Sequence, residues 1–142
     1  MEFVWPVRVY YEDTDAGGVV FYANYLRFME RGRTEWLRSL GFEQDVLMDD
    51  PGILFAVRHV ELDYERPARF NDELRVVSTV NKVAGASIDF AQQVERIADG
   101  TRLCHGIIRV VCLRAEDMRP TRIPALIREK LQSEHAGSGT NT

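Results

Sequence analysis

The 142-residue chain is long enough for one domain with a single core. Its 45% hydrophobic and 28% charged fractions are those of an ordinary globular protein. A net charge of −4 argues against the basic face of a general nucleic-acid binder, and no apolar run approaches the roughly 20 residues of a membrane span. The same balance leaves room for an anionic small molecule, because a few local cations are enough to hold one.

Met1-Glu2-Phe3 has none of the marks of a secretion signal, so a cytoplasmic protein is expected. From Trp5, Val7, Val9 and Tyr11 alternate with Arg8, Tyr10 and Glu12, the pattern of a strand. The alternation stops at the acidic, glycine-containing stretch 12–18, which reads as a loop. A helix is expected over 22–40. Tyr22, Tyr25, Met29, Gly32, Trp36 and Leu40 share one face, with Arg27, Glu30, Arg31, Thr34, Glu35 and Arg38 opposite and Gly41 as the stop. Gly32 on the apolar face would let a neighbouring element approach closely, against about 1 kcal/mol of lost helix propensity.

Four strand-like segments follow, at 59–65, 74–80, 88–95 and 102–114, the last two joined by an Asp99-Gly100 hairpin signal. Apolar residues on both faces of 102–114 indicate an interior strand. Pro120 and Pro124 lead to a weak helix from Ala125 to Leu131. The domain is expected to span 1–132, and the small, polar segment 133–142 is expected to be a disordered tail. Cys104 and Cys112, eight residues apart on one strand, would lie roughly 26 Å apart, too far for a disulfide. His59, His105 and His135 show no metal-ligand spacing, so neither a metal nor a cofactor is expected. The order of one strand, one long helix and four antiparallel strands describes an α+β fold with a five-stranded sheet and one covering helix. Such a sheet has open edges, and pairing between two copies would remove one of them.

Chemistry points to the loop before the helix. The first N–H groups of a helix lack internal partners and lie at the positive end of its dipole. They can stabilise the oxyanion formed when a carbonyl is attacked, and a nearby carboxylate can attack or deprotonate water. A thiol, with a pKa of about 8.5, leaves without an acid catalyst, so this small kit suits a thioester better than an amide. Spacing alone does not choose between Asp13 and Asp15, and either can equally be a turn or cap residue.

The run from Tyr10 to Leu26, with its Asp-Thr-Asp-Ala-Gly-Gly-Val-Val core at 13–20, closely resembles the Tol–Pal-associated acyl-CoA thioesterases. Met29-Glu30-Arg31 and Arg33-Thr34-Glu35-Trp36-Leu37 extend the likeness, as do the Arg66-Pro67-Ala68-Arg69 turn and Val110-Val111-Cys112. It is less closely similar to bacterial 4-hydroxybenzoyl-CoA thioesterase, of the same hotdog superfamily. The resemblance implies a hotdog fold, acyl-CoA as the substrate, and a dimer that pairs again into a tetramer. It also implies that Asp15 is the catalytic aspartate and that the backbone N–H of Tyr22 faces the thioester carbonyl. Arg58, His59, Lys82 and Ser87 become candidates for the coenzyme A phosphates, in a groove between subunits. Phe21, Tyr22 and Tyr25 become candidate pocket residues for a short aliphatic or aryl group. Many Tol–Pal-type members carry histidine where this chain has Tyr22, whereas the hydroxybenzoyl-CoA enzyme also has tyrosine there. Two other readings are a hotdog hydratase or dehydratase, disfavoured because no histidine precedes Arg58, and a non-catalytic acyl-CoA-binding scaffold.

Overall fold

The computed structural model describes residues 2–140, with side chains described through residue 134. Five strands, β1 (Phe3–Arg8), β2 (Ile53–Tyr64), β3 (Glu73–Val83), β4 (Ser87–Arg96) and β5 (Arg102–Arg114), form one antiparallel sheet in the order β1-β3-β4-β5-β2. Helix α1 (Asn24–Ser39) lies across one face, against β1, β3 and β4. A short α2 (Gln44–Asp49) packs on β2, and α3 (Ala125–Thr140) packs on β3. β1 pairs only with the Glu73–Ser78 part of β3. The two edges of the sheet are therefore β1 and the twelve-residue β2.

The core lies between α1 and the sheet. Phe28, Met29 and Trp36 of α1 pack there with Leu74 and Val76 of β3, Phe90 and Val94 of β4, and Ile108 of β5. Each such side chain contributes about 1.5–3 kcal/mol by leaving water. Gly32 behaves as its position suggests. A Cβ there would stand 2.9 Å from Val76 Cγ1, so the helix approaches the sheet at this point more closely than any side chain would permit. The fully buried side of that approach is stitched by Gln92, whose Nε2 donates to the Met29 carbonyl (3.0 Å) and to Ser78 Oγ (2.8 Å). Gly41, at φ +97°, ends α1: its N–H donates to the Arg38 carbonyl and that of Phe42 to Leu37 (2.9 Å), the paired closure typical of a glycine stop.

Several expected boundaries are corrected. The first strand ends at Arg8, and Tyr11 is an exposed residue of a 3₁₀ turn (Tyr11–Asp13), although Val9 is buried as its alternation required. α1 starts at Asn24 and not at Tyr22, and its buried stripe takes in Phe28 and Leu37 in place of Tyr22 and Leu40. β2 begins six residues earlier than expected, because 53–57 is a continuous apolar run with no two-residue alternation to reveal it. α2, with one buried residue, is too short to leave a helical period in the sequence. α3 runs on past Leu131. Most of the tail expected at 133–142 falls outside the residues whose side chains are described, and 141–142 lie outside the described residues altogether. β5 is an interior strand, paired with β4 and β2, and it carries both cysteines, buried and unbridged.

Candidate active site

The loop between β1 and α1 folds around two aspartates with opposite environments. Asp13 is 4% exposed, and both of its carboxylate oxygens are engaged, one by the Tyr10 N–H (2.9 Å) and the other by Asn24 Nδ2 (2.5 Å). Its carbonyl also accepts the Phe21 N–H (2.9 Å). Asp13 therefore ties the start of α1 to the end of β1, with its carboxylate shut away from solvent. Asp15 is exposed. Its Oδ1 accepts the Gly17 N–H at 2.8 Å, and Oδ2 has no hydrogen-bond partner among the described residues. The Asp15 N–H donates to the Val19 carbonyl (2.9 Å), and the Gly18 N–H donates to the Asp15 carbonyl (3.0 Å). Gly18 closes this turn at φ +77°, a conformation that favours glycine. The loop is fastened to the segment between β2 and β3 by bridges from Val19 to Arg69 and by the Val20 N–H on the Ala68 carbonyl (2.8 Å).

Tyr22 lies two residues ahead of α1. Its carbonyl already accepts from the Tyr25 N–H, and that of Phe21 accepts from Asn24. The Tyr22 N–H itself has no acceptor among the described residues, so a free donor stands at the positive end of the helix. The Tyr22 ring is exposed and packs on Phe21 (centroids 4.9 Å apart) and edge-on to Tyr64 (5.9 Å). Tyr25 is buried. Its hydroxyl oxygen accepts the Ala68 N–H (3.0 Å), and burial pushes its pKa up, so it stays protonated. Tyr22, Tyr25 and Tyr64 together line a hollow that Arg66 and Pro67 complete. Tyr25 is thus both core and pocket wall. Phe21 is exposed and does not line that hollow. Tyr64, which alternation along its strand marks only as an apolar-face residue, lines the same hollow; its pKa is also raised by burial.

Arg58, Lys82 and Ser87 meet in a second hollow, with Asp89 and Arg109. His59 is exposed beside it, 3.0 Å from Glu61, and does not line it. Asp89 is almost buried and takes both prongs of the Arg109 guanidinium (2.8 and 3.1 Å). The Arg109 hydrogen bonds, then the charges of Arg109, Lys82 and His59, hold its carboxyl below the usual range. Arg109 and Asp89 are additions that the sequence did not suggest, since they become neighbours only through the β4–β5 register.

The two hollows lie apart along the sheet, with Arg58 of one six residues from Tyr64 of the other on β2, roughly 20 Å at strand spacing. The Asp15 loop is pinned at Ala68 and Arg69, just before β3, whereas Lys82 is nine residues along β3 from Glu73, roughly 30 Å at strand spacing. One copy of the chain does not bring them together. Among the described residues no cluster of three or more His, Cys, Asp or Glu converges, and no helix is long and apolar enough to cross a membrane.

A five-stranded antiparallel sheet wrapped over one helix defines a hotdog-fold protein. Residues 9–131 match the model of the thioesterase-like superfamily, and the chain belongs to that family. It is 42% identical over 126 residues to the acyl-CoA thioesterase YbgC of Haemophilus influenzae, covering 89% of this chain and 91% of the relative. It is 43% identical over 125 residues to the acyl-CoA thioester hydrolase YbgC of Escherichia coli O6:H1, covering 88% and 92%. The crystal structure of a probable thioesterase from Bartonella henselae superposes with a TM-score of 0.82 at 32% identity, over 87% of this chain and all of that one.

Proposed function

We propose that the protein hydrolyses acyl-CoA thioesters, with Asp15 as the catalytic carboxylate and the Tyr22 N–H as the oxyanion donor. The observation that carries the reading is that the one loop leading into α1 holds both an exposed Asp15 Oδ2, free of any partner among the described residues, and an unspent N–H at the helix start. In the general-base route Asp15 takes a proton from water as the water oxygen bonds to the acyl carbon. The carbonyl oxygen gathers negative charge against the Tyr22 N–H and the helix dipole. Collapse of the intermediate breaks the C–S bond, and the proton passes to the departing thiolate. In the nucleophilic route Asp15 bonds to the acyl carbon as the C–S bond breaks and the thiolate leaves, and water then opens the mixed anhydride, releasing the acid and restoring the Asp15 carboxylate. Both routes use the same geometry, and neither needs a cofactor.

The hollow of Tyr22, Tyr25 and Tyr64 suits a short aliphatic or aryl acyl group, and Phe21 can flank its entrance. The basic hollow of Arg58, Lys82 and Ser87, with His59 beside it, suits the coenzyme A phosphates. The separation of the hollows supports a site completed by a second copy, in which the Asp15 loop of one subunit meets the basic hollow of the other. The open edge of β2, with its exposed Val57, is the strand we propose for that pairing, and a further pairing of dimers would make a tetramer. A cytoplasmic location and a Tol–Pal association belong to the same reading, carried by the motif resemblance; co-purification with Tol–Pal components from cells tests the latter. The activity is tested by free-thiol release from a panel of acyl-CoA esters. Asp15→Asn should fold as the parent does and lose most of the activity, and full activity in that variant overturns the assignment.

A further inference from the structure

Arg96 ends β4, and its guanidinium reaches three acceptors at once. Nε donates to Asp72 Oδ2 (3.2 Å), Nη1 to Asp99 Oδ2 (3.0 Å) and Nη2 to the Pro67 carbonyl (2.9 Å). Asp72 Oδ2 also accepts the Arg69 N–H (2.9 Å). Arg96 thus holds the strip 67–69 at both ends, directly at Pro67 and through Asp72 at Arg69. This strip belongs to the irregular connection between β2 and β3, where no strand ladder fixes the backbone. A guanidinium suits the task, because its planar fork presents five donors in fixed directions and two of its three acceptors here are carboxylates.

The same strip carries the loop and the hollow of the candidate site. The Ala68 carbonyl accepts the Val20 N–H (2.8 Å), Arg69 bridges Val19, and the Ala68 N–H donates to the Tyr25 hydroxyl (3.0 Å). The Val19 carbonyl in turn accepts the Asp15 N–H (2.9 Å). Among the described residues, no other backbone hydrogen bond ties 15–20 to a segment beyond its own loop. Where Asp15 stands relative to the Tyr25 wall therefore depends on a strip that Arg96 grips. Arg96 itself lines neither hollow.

We propose that Arg96 is a positioning residue, whose grip on 67–69 fixes the Asp15 loop and the Tyr25 wall of the hollow in one relative placement. Its effect on turnover rests on the thioesterase reading; its hold on the loop does not. Misplacing a catalytic group by about 1 Å can cost on the order of a hundredfold in rate, so a loosened grip lowers kcat and leaves the substrate contacts in place.

Native-state hydrogen exchange on the full chain reads the Asp15 and Val20 amides directly. Arg96→Met should speed their exchange roughly tenfold or more, with the β4–β5 ladder amides within about twofold of the parent. An equal factor at loop and ladder marks a general loss of stability and overturns the proposal, as does no change at either. Arg75→Met removes a comparable ion pair, to Glu95 Oε1 at 2.6 Å, and should leave the two loop amides as they are. A change there equal to that of Arg96→Met overturns the proposal too. If Arg96→Met does not fold, Arg96→Lys keeps the charge, loses the fork and should show the same selective change at a smaller factor; parent-like exchange in it then overturns the proposal. In thiol release from acyl-CoA esters, Arg96→Met should lower kcat roughly tenfold or more with KM within about twofold of the parent. A parent-like kcat, with KM raised or not, overturns the proposal. If the parent releases no thiol from any ester, the thioesterase reading fails, and the exchange result alone decides whether Arg96 holds the loop.

Discussion

Asp13 and Asp15 are two residues apart, yet one is buried with both oxygens engaged and the other is exposed with one oxygen engaged, which makes a sharp test of the roles proposed for them. Asp13→Ala removes the acceptor of the Tyr10 N–H and of the buried Asn24 amide. Leaving a buried donor unmet costs about 1–3 kcal/mol, and one of the two is only partly buried, so a loss of about 2–4 kcal/mol is expected. At about 3 °C per kcal/mol for a domain of this size, that lowers Tm by roughly 6–12 °C. Asp15→Ala removes one exposed turn contact, the Gly17 N–H, and should cost no more than about 1 kcal/mol, while abolishing thioesterase activity. Thermal unfolding followed by circular dichroism and thiol release on the same samples give both readings. The reasoning is refuted if Asp13→Ala unfolds at the parent temperature, or if Asp15→Ala is the more destabilised of the two.

A Cβ at Gly106 would lie 1.8 Å from the Glu61 carbonyl oxygen, where β2 and β5 approach most closely, so Gly106→Ala should destabilise more than any other glycine substitution and shift chemical denaturation well below the parent midpoint. Gly41→Ala places a side chain in the left-handed region and should cost about 1 kcal/mol in the same experiment. The Asp89 carboxyl is held below its ordinary value by Arg109, so its contribution to stability is complete above about pH 4 and is lost as the pH falls through the depressed folded value. Asp89→Asn should flatten that acid limb in pH-dependent unfolding; an unchanged limb refutes the assignment. Burial raises the pKa of Cys104 to about 12 and of Cys112 to about 11, so neither should react with iodoacetamide at pH 8 until the protein is unfolded, when mass spectrometry should find both modified.

The arrangement also explains why a single copy looks unfinished. β4 and β5 are paired on both sides, whereas β2 ends the sheet with one row of backbone groups unmet and Val57 exposed. An edge of this length is a template for another strand. The proposed pairing therefore answers a backbone requirement as well as the distance between the two hollows.

What could be read from the sequence was whatever repeats at a fixed period or depends on a few adjacent residues. The alternation at 74–80, 88–95 and 102–114 located three strands, the apolar stripe of Met29, Gly32 and Trp36 located the helix, and Gly41 marked its end. The 13–20 motif resembles the thioesterase-like family, to which the match over residues 9–131 assigns the chain. Tertiary structure decided the rest, because burial and partnership belong to space and not to order along the chain. It separated Asp13 from Asp15, since Asn24 and Tyr10 close on only one of them. It joined Asp89 to Arg109 through strand register and turned Arg33, an ordinary charge on a helical wheel, into a buried cation bonded to Gln92. It also set the Asp15 loop and Lys82 at opposite ends of β3, a spacer of roughly 3.3 Å per residue between them.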